Sequence, residues 1–218
     1  MTLNLDPARP DPRLTSQAAA IVARGGIVIF PTETVYGIGA DLRRPDAIER
    51  VCQLKQRPAG QPFLIHCSTE IQLVELVQEI PAPARRLMAT FWPGPLALVF
   101  KAKSGLPNAV TGPNNTVGIR MVAHPVFCAL ATRLGSPLAG TSANLHGRSA
   151  TSDFTKLSPQ LVEAVDVALN AGVCGTDLAS TVLDMTHEPP VLLRRGAVPV
   201  QAIETALRYP VGNTDTHY

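Results

Sequence analysis

Short apolar runs alternate along this chain with segments whose apolar residues recur every three or four positions, the two periods that mark strands and helices. The run IVIF (27–30) lies between Gly26 and Pro31 and reads as a buried strand. FLIH (63–66), LALVFKA (96–102), TVGIRMV (116–122), PLAG (137–140), VDVAL (165–169), STVLDM (180–185) and VLLR (191–194) read the same way. Helical spacing appears in SQAAAIVARGG (16–26), where Thr15 or Ser16 offers an N-cap and Gly25-Gly26 a stop. It recurs in PDAIERVCQLK (45–55), with Pro45 at a first helical position, and in STEIQLVELVQ (68–78), where Thr69 and Gln72 are spaced as a capping box. ARRLMATFW (84–92), HPVFCALATRLG (124–135), a segment near 158–165 and PVQAIETALR (199–208) complete the helices.

Helices and strands interleave, but the strands at 180–185 and 191–194 are separated only by a turn. That order predicts an α/β fold of the α+β type, with a mixed rather than wholly parallel sheet flanked by helices. No repeat, low-complexity stretch or composition break divides the chain, so one domain is expected over 1–210, with the polar residues 211–218 a disordered tail.

Composition changes this picture mainly by exclusion. With 218 residues, 45% hydrophobic and 17% charged, the chain is long and apolar enough to bury a core and is no disordered polymer. A formal net charge of +2 is too small for a general nucleic-acid coat, though a local basic pocket remains open. Cys52, Cys67, Cys128 and Cys174 form no Cys-x-x-Cys pair and the histidines have no metal-ligand spacing, so no structural metal is expected. Cys52 and Cys128 read as small buried hydrophobes. Neither a signal peptide nor a membrane-length apolar run is visible, which points to the cytoplasm.

Candidate chemistry gathers where strands end. FPTETVYGIGAD (30–41) carries Thr32, Glu33, Thr34 and Tyr36 beside Gly37 and Gly39. The hydroxyls suit loop hydrogen bonds or a ligand, and the glycines suit a turn or close backbone approach. Lys55 and Arg57 stand at a helix end before Pro58, where they either relieve the helix dipole or hold phosphates, and Gln61 and His66 follow. His66 is either a satisfied strand-end residue or a ligand contact. Arg120, within an apolar strand, requires a protein carboxylate or an anionic ligand. GTSAN places Gly140, Thr141, Ser142 and Asn144 at a strand end, Ser180 opens another strand, and one of Arg194 and Arg195 should face inward. A P-loop is absent, a Rossmann fingerprint is not matched and no G-x-S-x-G elbow occurs, so any nucleotide would be held by scattered cations, hydroxyls and backbone groups.

FPTETVYGIGAD, LKQRP…P…IH, FWPGPLALV, TVGIRM, HP, TSAN, STVLD and PPVLLRRGA, in that order from about Gly25 to Arg195, resemble the YrdC-like family, whose enzymes are L-threonylcarbamoyladenylate synthases. The resemblance implies a twisted, open mixed sheet with a concave basic cavity. It also implies an activity that joins L-threonine, bicarbonate and ATP, with Mg²⁺ on the ATP, into threonylcarbamoyl-AMP and pyrophosphate. That product supplies the group a separate transferase complex places on adenosine 37 of tRNA, and tRNA itself is a candidate partner. By motif, Thr34, His66, Arg120, Gly140 and Ser180 fall on the threonine side, Arg120 at its carboxylate. Lys55, Arg57, Gln61, Thr116, Ser142, Asn144, Ala150 and Arg194 fall on the nucleotide side, with Lys55 and Arg57 as the catalytic cations. Gln61 replaces a frequent Asn and TSAN a frequent PSAN. The chain stops short of the C-terminal domain of longer members and so resembles the short bacterial form. An RNA-binding module and a carbamoyl-adenylate-forming enzyme stand as alternatives; the 5% aromatic content disfavours the former and the absence of accompanying transfer regions the latter.

Overall fold

The computed structural model describes residues 1–56, 61–145 and 147–213. The strands among them are β1 (Thr2–Asn4), β2 (Val28–Phe30), β3 (Gly37–Asp41), β4 (Leu64–Cys67), β5 (Leu96–Lys101), β6 (Thr111–Gly112), β7 (Thr116–Met121), β8 (Leu138–Ser142), β9 (Val167–Asn170), β10 (Thr181–Asp184), β11 (Val191–Arg194) and β12 (Gly212–Asn213). The helices are α1 (Pro12–Ala23), α2 (Pro45–Lys55), α3 (Glu70–Leu76), α4 (Ala82–Phe91), α5 (Pro125–Leu134), α6 (Pro159–Ala164) and α7 (Val200–Leu207). One sheet runs β1-β9-β2-β3-β8-β4-β7-β5-β10-β11-β12, with β6 also paired to β7. β2–β3, β3–β8, β4–β8, β5–β7 and β10–β11 are antiparallel, while β1–β9, β2–β9, β4–β7, β5–β10 and β11–β12 are parallel. The sheet is mixed, as the strand order predicts.

Strand alternation divides the side chains between two faces. Ile29, Ile38, Ile65, Leu98 and Ile119 join the larger apolar cluster, together with Ile48 and Val51 of α2, Leu73 of α3, Leu87 of α4 and Ile203 of α7. On the other face α1 and α5 cover only part of the sheet, where Val22, Phe127 and Leu130 pack on Val28, Phe30, Leu138 and Val167. Farther along that face Ala97, Val99 and Val182 form a small cluster to which no described helix residue contributes. A concavity lies between the two clusters.

Several local expectations are corrected. The N-cap of α1 is Asp11, whose carboxylate accepts from Arg13 N at 2.7 Å, with Pro12 opening the helix. Thr15 is instead buried, donating to Asp11 O and Pro12 O. In α3, Thr69 accepts from Gln72 N as expected, but the Gln72 amide returns to Ser68 N at 3.0 Å. Cys52 and Cys128 are half-buried rather than buried.

The segment after IVIF is no simple loop exit. It becomes β3, antiparallel to β2, and neither Gly37 nor Gly39 has positive φ. Their constraint is interstrand space: a Cβ on Gly37 would lie 2.5 Å from the Phe30 ring, and one on Gly39 would lie 2.3 Å from Ala139 O of β8. Two glycines in five residues hide the strand from a periodicity argument.

Candidate active site

A cavity of about 370 Å³ opens in that concavity, a size suited to a small-molecule ligand. The strand positions opposite to those in the large core supply it: Leu64 and His66 of β4, Arg120 of β7, Gly140 and Ser142 of β8, Val182 of β10 and Arg194 of β11. Thr32, Thr34, Gln61, Thr141 and Ser180 add polar groups. Two arginines and no acidic side chain line it among the described residues, so its electrostatics favour an anionic ligand.

The corner between β2 and β3 is locked by its hydroxyls. Thr32 Oγ1 donates to Val35 O at 2.7 Å, which commits its only hydrogen. The 2.8 Å contact between the two threonine hydroxyls then has Thr34 as donor, while Thr34 Oγ1 accepts from Arg120 Nη1 at 2.9 Å. Toward the cavity Thr34 therefore has only a remaining lone pair to offer. From outside, Thr176 N donates to Thr34 O and Tyr36 N donates to Thr151 O. Gly175 permits that contact, because a Cβ there would sit 2.1 Å from Thr34 O.

Arg120 is 3% exposed and is held at each of its nitrogens. Nε donates to Gly94 O at 3.2 Å, Nη1 to Thr34, and Nη2 lies 2.8 Å from Glu33 Oε1. The last contact is an ion pair whose angles fall outside hydrogen-bond geometry, so Nη2 and Glu33 Oε1 remain without a hydrogen bond despite their proximity. His66 Nδ1 is likewise buried without a partner. Burial, reinforced by the Arg120 charge, pushes the His66 imidazole down to about 3, so the ring is neutral near pH 7. Its ring meets Phe30 edge-on, with centroids 5.4 Å apart.

At the other side Arg194 reaches back across β10. Its Nε and Nη2 donate to Ser180 O at 3.0 and 2.8 Å, and Nη2 also donates to Ser180 Oγ at 3.0 Å. Arg195 is exposed, so Arg194 is the inward member of the pair. Lys55, 4% exposed, ends α2 beneath the TSAN segment and donates to Ser142 O and to Asn144 Oδ1. Ser142 Oγ donates to the same Asn144 oxygen, and Asn144 Nδ2 donates to Arg148 O at 2.6 Å.

Of the sequence-predicted site residues, Thr34, Gln61, His66, Arg120, Gly140, Ser142, Ser180 and Arg194 line one cavity. Lys55 and Asn144 meet its wall through Ser142. Thr116 is buried behind it, donating to Pro113 O, and Ala150 is half-buried outside the lining. Arg57 lies outside the described residues. Sequence reasoning missed Glu33 as the partner of Arg120; the need for a protein carboxylate or an anionic ligand was visible, but Glu33 is remote in sequence. Among the described residues no group of three or more His, Cys, Asp and Glu side chains is placed to hold a metal ion, and no helix is long and apolar enough to cross a membrane.

A family model, Sua5_yciO_yrdC, described as "Telomere recombination", matches residues 20–196. The chain is 37% identical over 190 residues to a threonylcarbamoyl-AMP synthase of Pyrococcus abyssi, covering 87% of this chain and 56% of the relative. It is 37% identical over 198 residues to that of Bacillus subtilis, covering 90% of this chain and 57% of the relative. The chain thus spans little more than half the length of these curated relatives. Among solved structures, P. abyssi Sua5 complexed with L-threonine superposes with a TM-score of 0.91 at 34% identity, over 98% of this chain and 62% of that one. Escherichia coli YciO superposes with a TM-score of 0.84 at 29% identity, over 93% and 98%.

Proposed function

The chain belongs to the Sua5–YciO–YrdC family, and from that premise we propose that it condenses L-threonine, bicarbonate and ATP into L-threonylcarbamoyl-AMP, releasing pyrophosphate. One observation carries the reading: a carboxylate-free cavity whose buried Arg120 Nη2 and His66 Nδ1 lack hydrogen-bond partners. Buried polar groups are rarely left so, and this pair suits a small ligand bearing both an anion and further polar groups. The Sua5 structure that superposes on 98% of the chain is a complex with L-threonine, which supports the choice of amino acid.

In this reading the threonine carboxylate meets Arg120, with Thr34, His66, Gly140 and Ser180 around the rest of the amino acid. Thr34, able only to accept, faces a donor of the substrate. The threonine amine attacks the bicarbonate carbon, a C–N bond forms and water leaves. The carbamate oxygen then attacks the α-phosphorus of ATP and the bond to pyrophosphate breaks. No protein nucleophile is needed. Gln61, Ser142, Asn144 and Arg194 would hold the nucleotide together with Lys55, Arg57, Thr116 and Ala150. Mg²⁺ would be carried by the triphosphate, since the cavity wall presents hydroxyls, amides and guanidinium groups rather than carboxylates. Catalysis would rest on proximity and on fixed positive charge in a sheltered site. The product would serve a separate transferase acting on tRNA.

Pyrophosphate release measured while threonine and bicarbonate are omitted in turn tests this. Release is expected only with all three substrates present, and equal release without bicarbonate would contradict the mechanism.

A further inference from the structure

Glu33 sits between the two cavity-lining threonines of the corner, yet is not itself among the residues that line the cavity. Its side chain is 22% exposed, with Oε1 2.8 Å from Arg120 Nη2. Its other oxygen, Oε2, accepts from Ala123 N at 3.1 Å, just before α5. The carboxylate therefore joins β7 to the link that follows it, from outside the cavity lining. We infer that Glu33 is a positioning residue for carboxylate recognition, fixing the plane of the Arg120 guanidinium so that its remaining N–H groups face the ligand. This rests on the proposed reading of the cavity as a threonine site.

The three contacts on Arg120 reach three different nitrogens, from two parts of the chain: Gly94 O on one side, and Thr34 Oγ1 and Glu33 Oε1 of the β2–β3 corner on the other. A planar fork held at three points keeps one orientation, and bidentate binding of a carboxylate depends on that orientation. The contacts at Nε and Nη1 accept from the guanidinium and carry no formal charge. Glu33 alone among the three supplies an anion, and it does so without using up Nη2 in a hydrogen bond. A rival role, in which Glu33 imitates the substrate carboxylate and must leave before threonine binds, requires the side chain to face the cavity. Its anchorage on Ala123 N, away from the lining, is the opposite arrangement.

The test is calorimetric binding of L-threonine, L-threoninol and ATP to the full chain and to Glu33→Gln and Glu33→Ala, with thermal melts of each. Threonine affinity is expected to fall about tenfold or more in Glu33→Ala and less in Glu33→Gln, whose amide oxygen still meets Nη2. Threoninol, lacking the carboxylate, should bind alike to all three, so that the preference for threonine over threoninol shrinks while ATP affinity stays put. Variants that bind threonine as well as or better than the unmutated protein would overturn the inference. An equal loss of threonine and ATP affinity would do the same, since that marks a general collapse of the site. Should Glu33→Ala fail to fold, the isosteric Glu33→Gln carries the comparison alone. Failure of the unmutated chain to bind threonine would overturn the reading of the cavity itself, a result distinct from the others.

Discussion

Arg120 shows how a single residue links stability to recognition. A guanidinium in an apolar strand needs an anion, and the structure supplies Glu33 together with neutral acceptors at Gly94 and Thr34. A lysine keeps the charge but cannot meet three acceptors in one plane. Arg120→Lys is therefore expected to lose roughly 1–3 kcal/mol of stability and to raise the threonine requirement at least about tenfold, with the ATP requirement unchanged. Urea unfolding beside threonine saturation measures both, and a variant that melts early yet binds threonine normally would remove Arg120 from recognition. The demand for an anion, from the protein or from a ligand, was legible from one buried arginine. Which carboxylate met it was not, because Glu33 and Arg120 are brought together only when the β2–β3 corner folds over β7.

At the scale of elements, periodicity found the runs that bury one apolar residue after another and missed those that do not. β2, β5, β7 and β10 were readable because their side chains enter packed clusters. β3 escaped it because its two glycines erase the pattern, although they are what lets it lie between β2 and β8. Gly39→Ala places a methyl group against the Ala139 carbonyl, a backbone atom that cannot swing aside as a side chain could. The substitution is expected to cost about 1–3 kcal/mol and to displace β8, which carries Gly140 and Ser142 into the cavity. Denaturant midpoints and ligand affinity should both fall; an unchanged midpoint would show that the strands separate freely at this point.

For the molecule as a whole, two buried histidines tie stability to pH. Burial and the Arg120 charge hold His66 at about 3, and burial holds His124 below its ordinary value against the pull of Glu33. Folding disfavours protonation of both, while the unfolded chain takes up protons near pH 6.5. Their contribution is complete above that pH and is lost as pH falls toward the depressed native values, at up to about 1.4 kcal/mol per pH unit for each residue. Urea midpoints between pH 7.5 and 4.5 should decline for the unmutated protein and less steeply for His66→Asn. Parallel declines would place the effect elsewhere.

Local patterning determined the class of fold, the positions of most helices and strands, and the residue types of the site, because burial and capping act over a few neighbours along the chain. The motifs likewise pointed to His66, Arg120, Ser142, Ser180 and Arg194 without showing that they share one wall. That was decided by the tertiary structure. Parallel and antiparallel neighbours drawn from distant segments place alternate residues of β4, β7, β8, β10 and β11 on one face, and α1 and α5 leave part of that face uncovered. Sheet order, register and helix coverage are relations between remote segments, and no spacing within one segment encodes them.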